Sequence, residues 1–331
     1  MFVIESYPVA VFFCVVTMLC WGSWSNTQKL VSPKWRFELY CWDFVNGIVL
    51  AAFILAFTLG SFGDHGRRFI SDIQQADNES ICGAIVAGII FNSANILFMA
   101  AISLAGMSVA FSVGAGLSLV LGVIVNFLNS PVGNIFLLVP GVALIVVAIL
   151  LNARAFGKMS ARSTTISTKG LLLSICSGLL MGLYYKYVAN SMFPDPLKPI
   201  TGMLSPYTAI CIFSMGVFLS NLVLNPLMMA KPFVGTQVNF SEYFEGSWKD
   251  HLLGVSGGFI WCIGMLFSVI ASYKAGAAIS YGLASGAIVV ASIWGIFCWR
   301  EFKGAPKGTQ LILNVMLVCF LVGLLLIVFA R

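Results

Sequence analysis

AISLAGMSVAFSVGAG at residues 101–116 returns 170 positions later as ASYKAGAAISYGLASG at residues 271–286. This shift places alanine on alanine and glycine on glycine: Ala101 on Ala271, Ala105 on Ala275, Gly106 on Gly276 and Gly116 on Gly286. A shift of 160 places Gly22 on Gly182 and Trp24 on Tyr184. Self-similarity in this order predicts two structurally related halves, residues 1–155 and 156–331.

The composition places both halves in a membrane. The chain is 60% hydrophobic and only 9% charged, whereas soluble domains average about 25% charged residues. A helix needs about 20 apolar residues to cross the hydrocarbon core. Ten such runs are present, at residues 7–30, 38–60, 82–104, 108–128, 133–153, 170–192, 205–229, 252–274, 276–298 and 309–330.

These runs predict an all-α membrane protein, because helices satisfy their own backbone hydrogen bonds in lipid. Five spans in each half is an odd number, so the second half must cross the membrane in the opposite direction to the first. The predicted fold is therefore ten transmembrane helices arranged as two inverted five-helix repeats, an architecture typical of secondary transporters.

The net charge of +6 resides mainly in the connections between spans. The odd-numbered connections and the adjoining end of the first span carry twelve Lys or Arg, against five in the other connections and the C-terminal tail. The positive-inside rule then places both chain ends outside the cytoplasm. This distribution accounts for the charge without nucleic acid, and none is expected as a partner.

Motifs of enzymes are missing from the sequence. It has no HExxH, GxSxG or Walker A segment, its nine cysteines form no CxxC pair, and its two histidines are not near them in sequence. We therefore expect no enzymatic activity, no metal and no cofactor. A membrane-embedded receptor is the alternative of another class, and a flux measurement separates it from a transporter.

Two segments resemble a known family. They are ESYPVAVFFCVVTMLCWGSWSNTQKL at residues 5–30 and FELYCWDFVNGIVLAAFILAFTLGSFG at residues 37–63. The Glu-Ser start, the Gly-x-Trp of the first span, the pair Asp43-Phe44 and the close of the second span are similar to the glucose/ribose porter group. They are also similar to the ureide permeases, and both groups belong to the drug/metabolite transporter superfamily.

The resemblance implies secondary uptake, usually driven by protons, with spans three, four, eight and nine around a central cavity and spans one and six as gates. We expect import of a small polar solute, foremost a monosaccharide, by proton symport and alternating access. The alternatives are a ureide, nucleobase or nucleoside permease, or an exporter. The polar run 25–28 departs from the plant ureide pattern. We expect a plasma or inner membrane location, with lipid as the surroundings. The sequence leaves the oligomeric state open and is compatible with a monomer.

Polar groups at membrane depth are expensive and indicate a cavity or a pathway. Asp43 lies in the second span, with Asn46 one turn further on. A carboxylate there can bind and release a proton, so Asp43 is the predicted proton-coupling residue. The alternative is an interfacial acid paired with a lysine such as Lys29.

Aromatic and amide side chains within the spans predict the solute site, because rings stack on flat faces and amides take hydrogen bonds. The alternatives are an aromatic belt for the tryptophans, interhelical bonds for the asparagines of span three, and snorkelling for the lysine. The predicted substrate-binding residues are Trp21, Trp24, Asn26, Asn92, Asn95, Tyr184, Lys186, Trp261 and Tyr281.

Overall fold

A computed structural model describes residues 1–63, 65–159, 168–233, 235–300 and 303–331. The side chains of residues 102, 103, 105–112 and 156 lie outside this description. Within it, nine helices are long and apolar enough to cross a membrane, and the chain is a multi-pass integral membrane protein. They are α1 (Tyr7–Leu30), α2 (Phe37–Phe57), α3 (Asn78–Ala101), α5 (Ile135–Ala155), α6 (Thr168–Ser191), α7 (Pro206–Ala230), α8 (Trp248–Ala275), α9 (Ala277–Cys298) and α10 (Thr309–Val328), with a shorter apolar helix α4 (Val113–Asn129).

The predicted span 108–128 has helical backbone throughout, and its side chains are described from Val113 onward, the first residue given for α4. The helical backbone of α3 continues to Ala110 and passes through a π-helical turn, Phe111–Ala115, into α4. Ala94 of α3 and Gly114 both contact the middle of α6. Asn129, at the end of α4, contacts the last turn of α6, where the beginning of α3 also lies. The chain therefore reverses its direction between α3 and α4.

The connections gather on two faces. The N-terminal amine donates to the His65 carbonyl at 2.6 Å, and the Asn134 amide donates to the carbonyl of Ala330. We call this end, which holds both chain termini, the terminal face. At the other end, the Ser32 amide donates to Asp250 at 2.7 Å, and Lys169 lies 5.6 Å from the centre of the Phe233 ring. We call this end the basic face.

The first helices of the two predicted halves, α1 and α6, run in opposite directions. Helix α1 begins at the terminal face and ends near Ser32 at the basic face. Helix α6 begins with Lys169 at the basic face and ends near Phe193, which packs against Arg67 at the terminal face.

Several contacts between helices recur at the shifts found in the sequence. The Thr17 hydroxyl of α1 donates to the Gly264 carbonyl of α8 at 2.9 Å. Thr17 corresponds to Ser177 at the shift of 160, and Gly264 corresponds to Ala94 at the shift of 170. The Ser177 hydroxyl of α6 likewise donates to the Ala94 carbonyl of α3, at 2.8 Å. The same helix pairs therefore meet through the same kind of hydrogen bond in both halves.

Glycines repeat in the same way. A side chain at Gly258 of α8 would overlap the Phe44 carbonyl of α2, and one at Gly88 of α3 would overlap the Phe213 carbonyl of α7. Small residues allow membrane helices to approach this closely.

The hydrophilic stretch 61–81 is more ordered than an exposed loop. It contains a short helix, Phe69–Gln75, in which Asp72 is fully buried. The Asp72 carboxylate accepts hydrogen bonds from Arg67 at 2.9 Å and from the Ser205 amide at 2.7 Å. This pairing fastens the connection after α2 to the start of α7 at the terminal face.

We predict that Gly258→Ala lowers the stability of the protein. The added methyl group meets backbone and not a flexible side chain, so α2 and α8 must separate. Overpacking of this kind costs about 1–3 kcal/mol, which thermal unfolding in detergent will register as a lower Tm. Gly157→Ala is the matched control, because nothing lies within 4 Å of its added carbon. Equal Tm values for the two variants would contradict the close contact.

Candidate functional site

A cavity of ≈ 170 Å³ lies between six helices, α1, α3, α4, α6, α8 and α9. Aromatic rings form most of its wall, and the polar groups are few. The lining residues include Trp21, Trp24, Ser25, Phe91, Asn95, Phe98, Ser118, Ser177, Met181, Tyr184, Trp261, Tyr281, Ser285 and Ala291. We call it the central cavity.

Flat aromatic faces form one continuous part of the wall of the central cavity. The rings of Trp21 and Trp261 are nearly parallel, with an interplanar angle of 9° and centroids 5.8 Å apart. The Trp21 indole nitrogen donates to the Trp261 carbonyl at 3.2 Å, which fixes this arrangement. Phe91 packs against Trp261 with centroids 4.2 Å apart, and Tyr184 packs against Phe91 at 5.4 Å. These rings give the cavity surfaces suited to a flat solute.

Asn95 supplies the one side-chain amide of the lining residues. It is 7% exposed, and no protein group among the described residues is hydrogen bonded to its side chain. An amide has one acceptor oxygen and two N–H donors. Because an unmade hydrogen bond is expensive in an apolar site, this amide is available for a polar ligand.

The serines of the cavity are mostly engaged with the protein. Tyr281 donates to the Met181 carbonyl at 3.0 Å, so the Ser118 hydroxyl donates to the Tyr281 oxygen at 2.7 Å. Ser177 donates to Ala94 as described above, and Ser285 donates to the Tyr281 carbonyl at 2.8 Å. The cavity therefore presents few hydroxyl protons to a ligand.

Six of the predicted substrate-binding residues line the central cavity, and three lie elsewhere. The Asn26 side chain bonds the Ser23 carbonyl at 2.9 Å and Trp299 at 2.7 Å. The Asn92 amide donates to Ser220 at 3.1 Å, an interhelical bond of the kind considered as the alternative. Lys186 is partly exposed and outside the lining. The six lining residues are Trp21, Trp24, Asn95, Tyr184, Trp261 and Tyr281.

Asp43 forms a second polar site, near the basic face. Its carboxylate is 2% exposed. Tyr243 donates to Asp43 Oδ1 at 2.5 Å, and His251 Nδ1 lies 3.0 and 3.1 Å from the two carboxylate oxygens. The Lys29 ammonium, considered as the alternative partner, lies 5.3 Å from the centre of the Trp299 ring. The acid of the second span is thus joined to the beginning of α8 and to the connection before it.

The surroundings of Asp43 hold it in place. The His251 ring meets the rings of Trp35 and Tyr243 edge to face at 4.8 and 4.7 Å. Burial and, as the smaller cause, the hydrogen bond to Asp43 raise the pKa of Tyr243 above its ordinary value. Its hydroxyl therefore stays protonated and donates. The neighbouring carboxylate, Asp250, accepts from the Ser32 amide and the Ser247 hydroxyl, each at 2.7 Å.

Comparison with known proteins decides the family. The model of the family described as Ureide permease matches residues 40–168 and 154–330. The chain belongs to the ureide permease family. Ureide permease 4 and Ureide permease 1 of Arabidopsis thaliana are 22% and 23% identical to it, over 97% and 98% of this chain and 96% and 97% of theirs. The chain is accordingly a membrane transporter of small polar solutes.

More distant similarities agree with this assignment. Transmembrane protein 144 homolog B of Dictyostelium discoideum is 26% identical over 46% of this chain and 37% of its own length. A solved structure described only as "Crystal structure of protein" has a TM-score of 0.61 at 17% identity and covers 98% of this chain and 99% of that one. This structure shares the fold.

Two residues of these candidate sites were not predicted from the sequence. Phe91 corresponds to Trp261 at the shift of 170, so the internal repeat could have predicted it as a cavity residue. His251, the partner of Asp43, is 208 positions away along the chain, and no sequence pattern indicates the pair.

Proposed function

We propose that this protein imports a ureide, or a related flat solute such as a nucleobase, through the central cavity. The observation that carries this proposal is the pairing of parallel indole rings with a single uncommitted amide at Asn95. The names of the Arabidopsis relatives support the ureide. They give no support to the monosaccharide expected first from the sequence.

The hydrogen-bonding groups of the cavity favour a ureide over a sugar. A monosaccharide carries several hydroxyl groups, and each one that is desolvated without a partner is penalised. Three of the cavity serines already donate to the protein. A ureide concentrates its polarity in adjoining C=O and N–H groups in one plane, which match the acceptor and donors of one amide.

The size of the cavity sets a limit on the solute. Pockets for drug-sized ligands measure about 300–1,000 Å³, and this one measures ≈ 170 Å³. A single small ring with its substituents fits this volume, whereas an extended drug molecule does not. The size therefore favours uptake of a small metabolite over drug efflux.

We further propose that Asp43 couples uptake to a proton gradient. The groups that face it are Tyr243, His251 and Asp250. Asp43 takes up the proton within this cluster and releases it when α8 moves away from α2. This step needs no cofactor.

The proposed architecture is two inverted five-helix halves, residues 1–155 and 156–331, that alternate about the central cavity in a plasma or inner membrane. Support comes from the opposite directions of α1 and α6 and from the contacts repeated at shifts of 160 and 170. Helix α4 supplies the tenth crossing in this arrangement. One monomer contains all the lining residues.

A panel of solutes tests the substrate class. We expect allantoin and uracil to raise the Tm of the purified protein and glucose to leave it unchanged, because a ligand of the folded state stabilises it by mass action, by about 2.7 kcal/mol at 100 times Kd. Uptake of the same solutes into proteoliposomes separates a transporter from a receptor. A shift with glucose alone would overturn the ureide proposal.

We predict that Asn95→Ala weakens ureide binding. Loss of a hydrogen bond costs about 0.5–1.5 kcal/mol, so the half-saturation constant of uptake should rise by up to about tenfold. Asn92→Ala is the matched control on the same helix, since the Asn92 amide bonds Ser220 and not the cavity. It should lower the Tm and leave the half-saturation constant unchanged. An equal constant for Asn95→Ala and the unaltered protein would remove Asn95 from the site.

A further inference from the structure

A buried cluster of hydroxyl groups lies next to the central cavity. The Tyr185 hydroxyl is 3.1 Å from both the carbonyl and the hydroxyl oxygen of Ser268. Ser280 donates to the same carbonyl at 2.7 Å, and Cys14 Sγ lies 3.5 Å from the Ser280 hydroxyl. All four residues are at most 1% exposed. We call Tyr185, Ser268, Ser280 and Cys14 the hydroxyl cluster.

The hydroxyl cluster lies on the terminal side of the cavity. In α1, which starts at the terminal face, Cys14 comes seven residues before the cavity residue Trp21. In α8, which runs toward that face, Ser268 comes seven residues after Trp261. Seven residues of helix advance about 10 Å along the axis. The cluster therefore lies between the cavity and the terminal face.

Two residues of this cluster have repeat images at the opposite end of the cavity. Tyr185 falls on Ser25 at the shift of 160, and Ser268 falls on Phe98 at the shift of 170. Ser25 and Phe98 line the cavity toward the basic face and are both partly exposed. Ser25 and Phe98 are thus open to the cavity, whereas their images Tyr185 and Ser268 are buried and hydrogen bonded to each other.

We infer that Tyr185, Ser268 and Ser280 line the solute pathway toward the terminal face in a second state of the protein. This inference rests on the proposed function. If the two halves exchange conformations, the Tyr185–Ser268 bond breaks and these hydroxyls face the widened route, as Ser25 and Phe98 do now. Their hydroxyl groups then offer hydrogen bonds to a passing ureide, which an apolar seal does not.

Cys14 reports on this opening. In a chain whose other eight cysteines are replaced by alanine, we expect a small thiol reagent applied at the terminal face to modify Cys14 faster while allantoin is being transported than in its absence. Cys262, likewise fully buried but on the α7 side of α8, is the control in a matched chain that retains only that cysteine. Modification of Cys14 no faster than of Cys262 during transport would overturn the inference.

A cross-link provides the second measurement. Ser280→Cys places a thiol close to Cys14, within reach of a disulfide after a small adjustment from 3.5 Å to about 2.05 Å. The bond joins α1 of the first half to α9 of the second. Oxidation should reduce uptake to background and reduction should restore it. Ser280→Cys combined with Cys14→Ala is the control, and its uptake should not respond to the oxidant.

The outcomes separate the two proposals. Allantoin uptake by the unaltered protein reports on the proposed function, whereas the response of the Ser280→Cys variant to oxidation, with cross-linking verified by thiol counting, reports on the pathway. Uptake that continues in cross-linked protein would disprove the second opening and leave the ureide proposal intact. Absence of uptake by the unaltered protein would disprove both.

Discussion

Asp43→Asn is expected to abolish accumulation of solute against its gradient while exchange of solute across the membrane continues. Asparagine keeps the size of the side chain and can still accept from Tyr243, so the cluster with His251 persists in shape. It cannot bind and release a proton, which removes the coupling step. Accumulation and exchange of radiolabelled allantoin in proteoliposomes with an imposed pH gradient measure the two activities separately.

Glu38→Gln is the matched control for this prediction. Glu38 is a buried carboxylate on the same helix as Asp43, and it is paired with Arg36 at 2.6 Å. Its replacement can lower the stability by removing this pair, but accumulation and exchange should change in proportion. Undiminished accumulation by Asp43→Asn would show that the coupled ion binds elsewhere.

The sequence predicts Asp43 but not the site around it. A carboxylate within an apolar span is conspicuous, because a charge there is expensive without a partner. Its partners, His251 and Tyr243, lie 208 and 200 positions further along the chain, in or beside segments that the sequence predicts as loops. Only the approach of α8 to α2 brings these groups together, and that approach depends on packing at Gly258 and Gly254.

The aromatic residues of the central cavity were easier to predict than its serines. Trp21, Tyr184 and Trp261 stand out because a large ring with a polar group in the middle of a span must find a hydrogen-bond partner or a cavity for that group. Ser285 does not stand out, since a serine in an apolar helix can bond the carbonyl four residues earlier, as it does here. The choice between Asn92 and Asn95 depended on which neighbour each amide meets, which periodicity alone does not determine.

Hydropathy located the spans but not their ends. The predicted span 82–104 begins at Asn78 in the structure, because the helix extends through a polar first turn. The predicted span 108–128 ends one residue later, at Asn129. Hydrophobicity measures the lipid contact of a segment, whereas these boundaries depend on backbone geometry.

Ala291→Trp is expected to reduce uptake to background without unfolding the protein. Ala291 lines the central cavity on α9, at its end toward the basic face. An indole there occupies space that is now empty, so it displaces the solute and strains the surrounding core little. The solute-induced rise in Tm should disappear together with uptake, while the Tm measured without solute should stay near that of the unaltered protein.

Ile293→Trp tests whether a large ring on α9 is harmful in itself. Ile293 lies two residues further along the same helix and is 39% exposed on the outer surface, where a tryptophan contacts lipid. This variant should retain uptake and the solute-induced rise in Tm. If Ala291→Trp transports as well as Ile293→Trp does, the solute does not pass through the central cavity, because the blocked space and the pathway must then be different. If both variants lose uptake and both have a lower Tm than the unaltered protein, the effect comes from the packing of α9 and not from the cavity.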